Sequence, residues 1–259
     1  MNPTLHDAAR QGFSREAGTY ARGRPDYPAP VLDWLRDTLA LRPGRTALDV
    51  GAGTGKFTAL LECTGAAVVA VEPVDAMRAR LQEALPAVRA VVATADAVPL
   101  PDATADAVVC AQAFHWFASG EALREFHRLL RPGGRLGLVW NVRDETVDWV
   151  ARLTRIITPY EGDAPRFHKG EWRRPLLDSP LFGPLEETRW PHAHTGAPED
   201  VIVGRFMSVS FIAALPGAGR DRVRGELEAL IATHPDLRGR GEVSFPYTTL
   251  AFSARRLPG

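Results

Sequence analysis

The chain has 259 residues, 45% of them hydrophobic, which is enough apolar material for one sizeable α/β domain with a small cap. Its 31 basic and 31 acidic side chains cancel, so no basic excess points to nucleic acid or to an anionic membrane surface. Two cysteines, Cys63 and Cys110, give no disulfide framework and read as small core residues.

Residues 1–12 are polar and mixed rather than a signal peptide, and no apolar run approaches membrane-spanning length, so a cytoplasmic protein is expected. Residues 1–28 are loop-like with scattered aromatics. Residues 28–39 read as a helix with Val31, Leu32, Leu35 and Leu39 on one face, ended by Arg42-Pro43-Gly44. A strand over 46–50, a glycine loop and a helix over 56–62 follow, closed by Gly65. Residues 67–71 are a second buried strand, and 74–85 a helix stopped before Pro86. Strands at 88–93 and 105–111 flank a loop that holds Asp96 and two prolines. A helix over 121–130 and the turn Pro132-Gly133-Gly134 lead to a fifth strand at 135–140.

Strands alternating with helices imply a parallel sheet with right-handed crossovers and helices on both faces. After Asn141 the pattern changes. Residues 144–160 read as a helix, 161–184 as irregular and rich in Pro, Arg and Trp, and 185–190 as a sixth strand. Residues 199–215 and 220–233 read as helices, and the alternation over 242–253 as a last, antiparallel strand. The expectation is an α/β protein with a seven-stranded, mostly parallel sheet.

The most informative stretch is Leu48-Asp49-Val50-Gly51-Ala52-Gly53-Thr54-Gly55. Three glycines at alternate positions let a backbone pass close to a ligand, and the free amides of the following helix suit a polar or anionic group. The spacing is neither the G-x-G-x-x-G of dinucleotide sites nor a P-loop, because Lys56 is followed by Phe57. Glu72 ends the second strand, where a carboxylate accepts hydrogen bonds from ribose hydroxyls in a βαβ unit. It also suits a cap for the next helix, and the two roles are compatible.

With these features in place, the chain resembles the class I S-adenosylmethionine-dependent methyltransferases. Asp49 to Gly55 resembles their first motif and Glu72 their ribose-binding acid. Ala95-Asp96-Ala97-Val98-Pro99-Leu100-Pro101-Asp102 resembles the loop after the third strand, and Leu129-Leu130-Arg131-Pro132-Gly133-Gly134 the turn before the fifth. The segment from Phe13 to Pro28, with Tyr20 and Arg24, and the run Phe114-His115-Trp116-Phe117 resemble small-molecule enzymes of the trans-aconitate and ubiquinone-biosynthesis type. The resemblance implies a Rossmann-like single domain over 1–259. Its parts are an N-terminal lid and helix at 1–40, a cofactor core at 41–140, substrate-side helices at 141–235 and a final strand at 236–259. It further implies S-adenosylmethionine as cofactor, a small-molecule acceptor, no metal, and neither nucleic acid nor membrane as partner. No oligomeric state follows.

For the site, the resemblance implies that Asp49, Gly51, Ala52, Gly53, Gly55, Ala111 and Gln112 surround the amino-acid end of the cofactor. Glu72 takes the ribose, Asp96 with the Ala97 amide takes the adenine, and Pro73 and Met77 flank the ring. Tyr20 and Arg24 belong to the lid. Asp102 and Asp106 read as turn and surface residues. Methyl transfer from a sulfonium needs alignment and exclusion of water, and a base only for a protonated acceptor. His115 is the candidate base, with a packing or pocket role as the alternative. Phe114 and Trp116 are expected as aromatic pocket walls, and His168, Trp172 and Arg173 lie in the segment expected to line the acceptor pocket. His192 and His194 have metal-like spacing but no accompanying carboxylate or cysteine cluster. A non-methylating relative that keeps the cofactor site is the competing reading.

Overall fold

The computed structural model describes residues 24–259. The chain divides into two compact units. The first holds Tyr27–Trp140, Pro165–Trp190 and Thr249–Gly259. The second holds residues 24–26, Asn141–Ala164 and Pro191–Thr248.

Short apolar runs build the first unit's strands. They are β1 (Thr46–Val50), β2 (Ala67–Val71), β3 (Arg89–Val91), β4 (Ala105–Ala111) and β5 (Leu130–Arg143), the last running on into the second unit. β1 pairs in parallel with both β2 and β4, β2 with β3, and β4 with β5. With β6 (Glu186–Gly196) and β7 (Val243–Arg255) the sheet order is β3-β2-β1-β4-β5-β7-β6. β7 is antiparallel to β5: Arg256 donates to the carbonyl of Gly134 at one end and Asp144 to that of Pro246 at the other. The chain leaves β1 to one side and returns to β4 on the other. Open α/β sheets bind ligands beyond the strand ends at such a reversal.

Helices flank these strands for local reasons. Helix α1 (Pro30–Asp37) starts with a proline in its first turn and buries Val31, Trp34 and Leu35. Gly137 of β5 makes room for it, since a Cβ there would lie 2.7 Å from Leu39 Cδ1. Helices α2 (Lys56–Glu62) and α3 (Asp75–Ala84) follow β1 and β2. Helix α4 (Gly120–Leu129) is capped by Ser119, whose hydroxyl accepts from the Ala122 amide at 3.1 Å. In the second unit, α5 (Asp148–Ile157) and α6 (Gly217–Thr233) bury Trp149, Leu153, Leu227 and Leu230 in one core with Phe245 and Tyr247.

Several expected boundaries move. The Pro132-Gly133-Gly134 turn lies inside β5, beside a register irregularity at Ala105/Ala107. A Cβ on Gly134 would meet the Asp106 carbonyl at 3.0 Å, so the ribbon closes there only around glycine. The helix expected over 199–215 is a π-helical turn, Glu199–Gly204, then two short pieces, Arg205–Met207 and Ser210–Ala213. Ser208 interrupts it, its hydroxyl donating to the Arg205 carbonyl at 2.8 Å. The irregular stretch contains helical turns at Phe167–Lys169, Glu171–Arg173 and Arg174–Asp178. Cys110 is buried as expected, whereas Cys63 is exposed at the end of α2.

Asp106 corrects the sequence reading more sharply. It is 8% exposed rather than a surface residue. Its carboxylate accepts from the Thr46 amide at 2.8 Å and Arg45 at 2.7 Å, and pairs with Arg131. Burial opposes ionisation, but these partners outweigh it and hold the carboxyl below the usual range. It thereby ties the starts of β1, β4 and β5 together. Asp106→Asn is expected to destabilise the protein by about 1–2 kcal/mol at neutral pH, the arginines being partly solvated. A depressed carboxylate stabilises above its unfolded pKa and loses this as pH falls through the folded one. The deficit relative to the native chain should therefore shrink below about pH 4. Urea unfolding at pH 7 and pH 3 measures both, and an equal deficit at the two would refute the role.

Candidate functional site

β1 is buried from its second residue on, yet its fourth residue is Asp49, fully enclosed. Asp49 Oδ2 accepts from the Thr58 hydroxyl of α2 at 2.6 Å, while Oδ1 is buried without a hydrogen-bond partner. Burial pushes its pKa up to about 7, against the Thr58 hydrogen bond and with the added charge of Glu72. An enclosed acceptor oxygen with nothing donating to it calls for a bound cation, an N–H donor or water.

The glycine loop above it is fixed from β2, whose Val71 carbonyl accepts from Gly51 at 2.9 Å and Ala52 at 3.2 Å. Gly51 has φ +74°, and a Cβ there would stand 2.6 Å from Ala113 Cβ, so both conformation and space exclude other residues. Gly53 has φ +59° but no atom within 4 Å of a would-be Cβ, so its face is open. Gly55 packs against Leu81 of α3 and Leu85 just beyond its end.

Glu72 lies at the end of β2, 6% exposed. Oε2 accepts from the Gly53 amide and Oε1 from the Val74 amide, both at 2.8 Å. Burial raises its pKa more than Val74, Gly53 and Arg78 lower it. The capping alternative is thus realised, and a carboxylate has lone pairs left for further donors. Beside it Pro73 is half-buried and Met77 is 2% exposed.

Across the reversal, β4 ends at Ala111 and Gln112 follows with φ +59°, a strained value for a non-glycine residue. The Gln112 amide donates to the Val139 carbonyl at 2.8 Å. Asp96 is half-buried in the loop after β3, and the Ala97 amide makes a long turn bond of 3.3 Å to Thr94. The loop is clamped from α4: Glu125 accepts from the Val98 amide at 2.7 Å. Arg128 donates to the Val98 and Leu100 carbonyls at 3.0 and 2.9 Å and to Asp102 at 2.6 Å. Sequence reading missed Glu125 and Arg128. Their signal was a charged i, i+3 pair beside the apolar face of the helix.

After β4 comes the helical turn Phe114–Trp116. Phe114 is a correction: it is fully buried against Phe117, Phe126 and Trp172, and offers no wall to a pocket. His115 and Trp116 remain half-buried. Trp140 Nε1 donates to His115 Nδ1 at 3.2 Å. That uses the Nδ1 lone pair, so the neutral ring carries its proton on Nε2 and presents a donor there rather than a base. Trp172 is also core, 4.6 Å from Trp140 between ring centres, with Arg173 stacked 4.4 Å from its ring and His168 exposed. Arg24 and His192 are half-buried in the second unit; Tyr20 lies outside the described residues. Among the described residues no group of three or more His, Cys, Asp or Glu could hold a metal ion, and no helix is long and apolar enough to cross a membrane.

Comparison with known proteins fits this geometry. The methyltransferase-domain family profile matches residues 48–138, from β1 through most of β5. An uncharacterized methyltransferase-like protein of Schizosaccharomyces pombe is 35% identical over 95% of this chain and 96% of its own. An uncharacterized methyltransferase of Mycobacterium tuberculosis is 39% identical over 93% and 94%. Among solved structures, one named as a type II methyltransferase from Anaeromyxobacter dehalogenans matches with TM-score 0.65 and 26% identity, covering 91% of this chain and 99% of that one. With relatives that match over almost their entire length, the chain belongs to the class I S-adenosylmethionine-dependent methyltransferases and is an enzyme of that family.

Proposed function

We propose that the enzyme holds S-adenosylmethionine at the ends of β1, β2 and β4 and transfers its methyl group to a small-molecule acceptor. The observation that carries this reading is the buried, unpartnered Oδ1 of Asp49 beside the open face of Gly53. An anionic acceptor within a glycine cradle suits a cationic amino-acid group better than a phosphate. When bound, the cofactor supplies a methyl group on a positively charged sulfur that departs as a neutral thioether.

The chain's own residues then have distinct tasks. Asp49 takes an ammonium hydrogen directly or through water. Glu72 accepts from the ribose hydroxyls with the lone pairs its two amide partners leave. Asp96 meets the adenine amino group, and the clamp of Glu125 and Arg128 keeps its loop in place. Pro73 gives the ring an apolar edge. Gln112, held in its strained conformation, lines the path at the end of β4. His115 donates from Nε2 to orient the acceptor or an acceptor-bound water. Positioning rather than proton removal is its role.

Two cofactor-site predictions follow from the buried acids. Asp49 must ionise to receive a cation, so S-adenosylhomocysteine should bind more weakly as pH falls below about 7, approaching tenfold per unit. Asp49→Asn should flatten that dependence. Calorimetry against pH, with NAD as control, tests it; NAD binding without S-adenosylhomocysteine binding would sink the cofactor reading. Glu72→Ala should weaken S-adenosylhomocysteine by about 1–3 kcal/mol, the loss of charge-assisted hydrogen bonds. Unchanged affinity in a folded variant excludes Glu72 from the site. For His115, a tritiated-methyl screen first supplies an acceptor. His115→Ala should then lower turnover by roughly tenfold at constant cofactor affinity, with His115→Gln retaining more, because glutamine keeps a donor. Equal loss in both variants would restore the base assignment.

A further inference from the structure

Three side chains of α2 are buried, and between the apolar Phe57 and Leu61 the third is Thr58. Threonine is a poor helix former, and inside a helix its hydroxyl ordinarily returns to the carbonyl one turn back. Thr233 of α6 does so, donating to the Ala229 carbonyl at 2.7 Å. Thr58 instead reaches across to β1 and donates to Asp49 Oδ2 at 2.6 Å, the length of a hydroxyl bond to a carboxylate. Both residues are fully enclosed.

The consequence lies in the other oxygen. A carboxylate turns easily about its last torsion and can exchange its two oxygens. With Oδ2 held, that turn is fixed, and Oδ1 is the oxygen left bare. The surroundings offer no substitute for the hydroxyl. From β2, Glu72 adds negative charge. From β4, the Cys110 thiol is pushed well above its usual range by burial and by the Asp49 charge, and stays neutral. Asp49 shares a sheet face with Ala47, two residues before it. On that face α1 turns in Val31, Trp34 and Leu35, and Tyr27 packs edge-on against Phe57 at 4.7 Å between ring centres. Lys56 and Glu62 stand at the two ends of α2. Among the described residues Thr58 is the only donor to the Asp49 carboxyl.

We propose that Thr58 is a positioning residue of the cofactor site: its hydroxyl pins Asp49 Oδ2 and thereby presents Oδ1 to the ammonium group of the ligand. This rests on the cofactor reading above and adds to it a residue that touches no ligand. The same bond favours the anion, against the burial that raises the Asp49 pKa to about 7. Thr58 therefore sets both where the negative charge points and the pH at which it exists.

The test is calorimetry on the full chain from about pH 6 to about pH 9, with two probes. S-adenosylhomocysteine carries the ammonium group; 5′-methylthioadenosine keeps the ribose and base but lacks the amino-acid end. Thr58→Val keeps the branched shape and removes the donor. Losing a hydrogen bond to the charged form favours the neutral acid, so the midpoint of the S-adenosylhomocysteine profile should rise by about one pH unit. Affinity should fall roughly fivefold at pH 7, and the deficit should narrow as pH rises. Thr58→Ser should restore the native midpoint, and 5′-methylthioadenosine affinity should be unchanged in both variants. If Thr58→Val does not fold, Thr58→Ala takes its place with the same expected shift. An unmoved midpoint in a folded variant, an equal loss for both probes, or failure of serine to restore the profile would each overturn the role of Thr58 while leaving the cofactor reading intact. Failure of the native chain to bind S-adenosylhomocysteine at any pH would overturn both.

Discussion

Glu72 is buried at the tip of β2, with its two oxygens committed to the amides of Gly53 and Val74. One side chain therefore fixes the glycine loop after β1 and the entry to α3 after β2. These are the two connections that form one side of the crevice at the sheet reversal. Burial favours its protonated form, and the donated amides favour the anion. Asp49 lies one strand away under the same loop, with a single hydroxyl donor. The charge of Glu72 adds to burial in raising the proton affinity of Asp49. A cationic ligand relieves both at once, which is why the unpartnered oxygen of Asp49 carries more functional information than the glycines around it.

Support for this pair comes from charges placed one layer out. Asp106 binds the starts of β1 and β5 through Arg45 and Arg131, at the opposite end of the strands from the crevice. Glu125 and Arg128 hold the Asp96 loop by its backbone rather than by its side chains. In both places arginine bridges several carbonyl or carboxylate oxygens with its forked donors, a role lysine's single ammonium could not fill. The sparse lysine and abundant arginine of the chain acquire a structural meaning here that composition alone does not give.

The parallel half of the sheet was legible in the sequence because its strands are short apolar runs separated by glycine, proline and amphipathic helices. Thr46–Val50 and Ala67–Val71 fall where the pattern puts them. The glycine loop and Glu72 were readable because backbone approach and a strand-end acid leave local signatures. Asp106 was not, since its partners lie far off in sequence, Arg45 just before β1 and Arg131 in β5. Phe114 was misassigned, and Trp172 in the expected pocket segment left unassigned, because an aromatic near a site looks the same in sequence whether it lines a pocket or fills the core beneath it. The break at Ser208 was hidden because a serine in a helical pattern reveals nothing about which carbonyl its hydroxyl will take.

His115 shows how a second residue decides what a catalytic-looking side chain can do. In the sequence it is a histidine past a strand end, and that position together with its ordinary pKa range made it a candidate base, with a packing or pocket role as the alternative. Trp140, 25 positions later and 1% exposed, is itself packed against Trp172, Phe167 and Phe252. Its indole N–H cannot turn elsewhere without disturbing that cluster. The bond to Nδ1 is therefore imposed by the core, and with it the tautomer. An imidazole so held donates from Nε2 until it is itself protonated, after which both nitrogens are donors and the Trp140 bond is lost. A base role at Nδ1 and the Trp140 hydrogen bond are therefore mutually exclusive, and the packed aromatic cluster selects the tautomer that donates from Nε2.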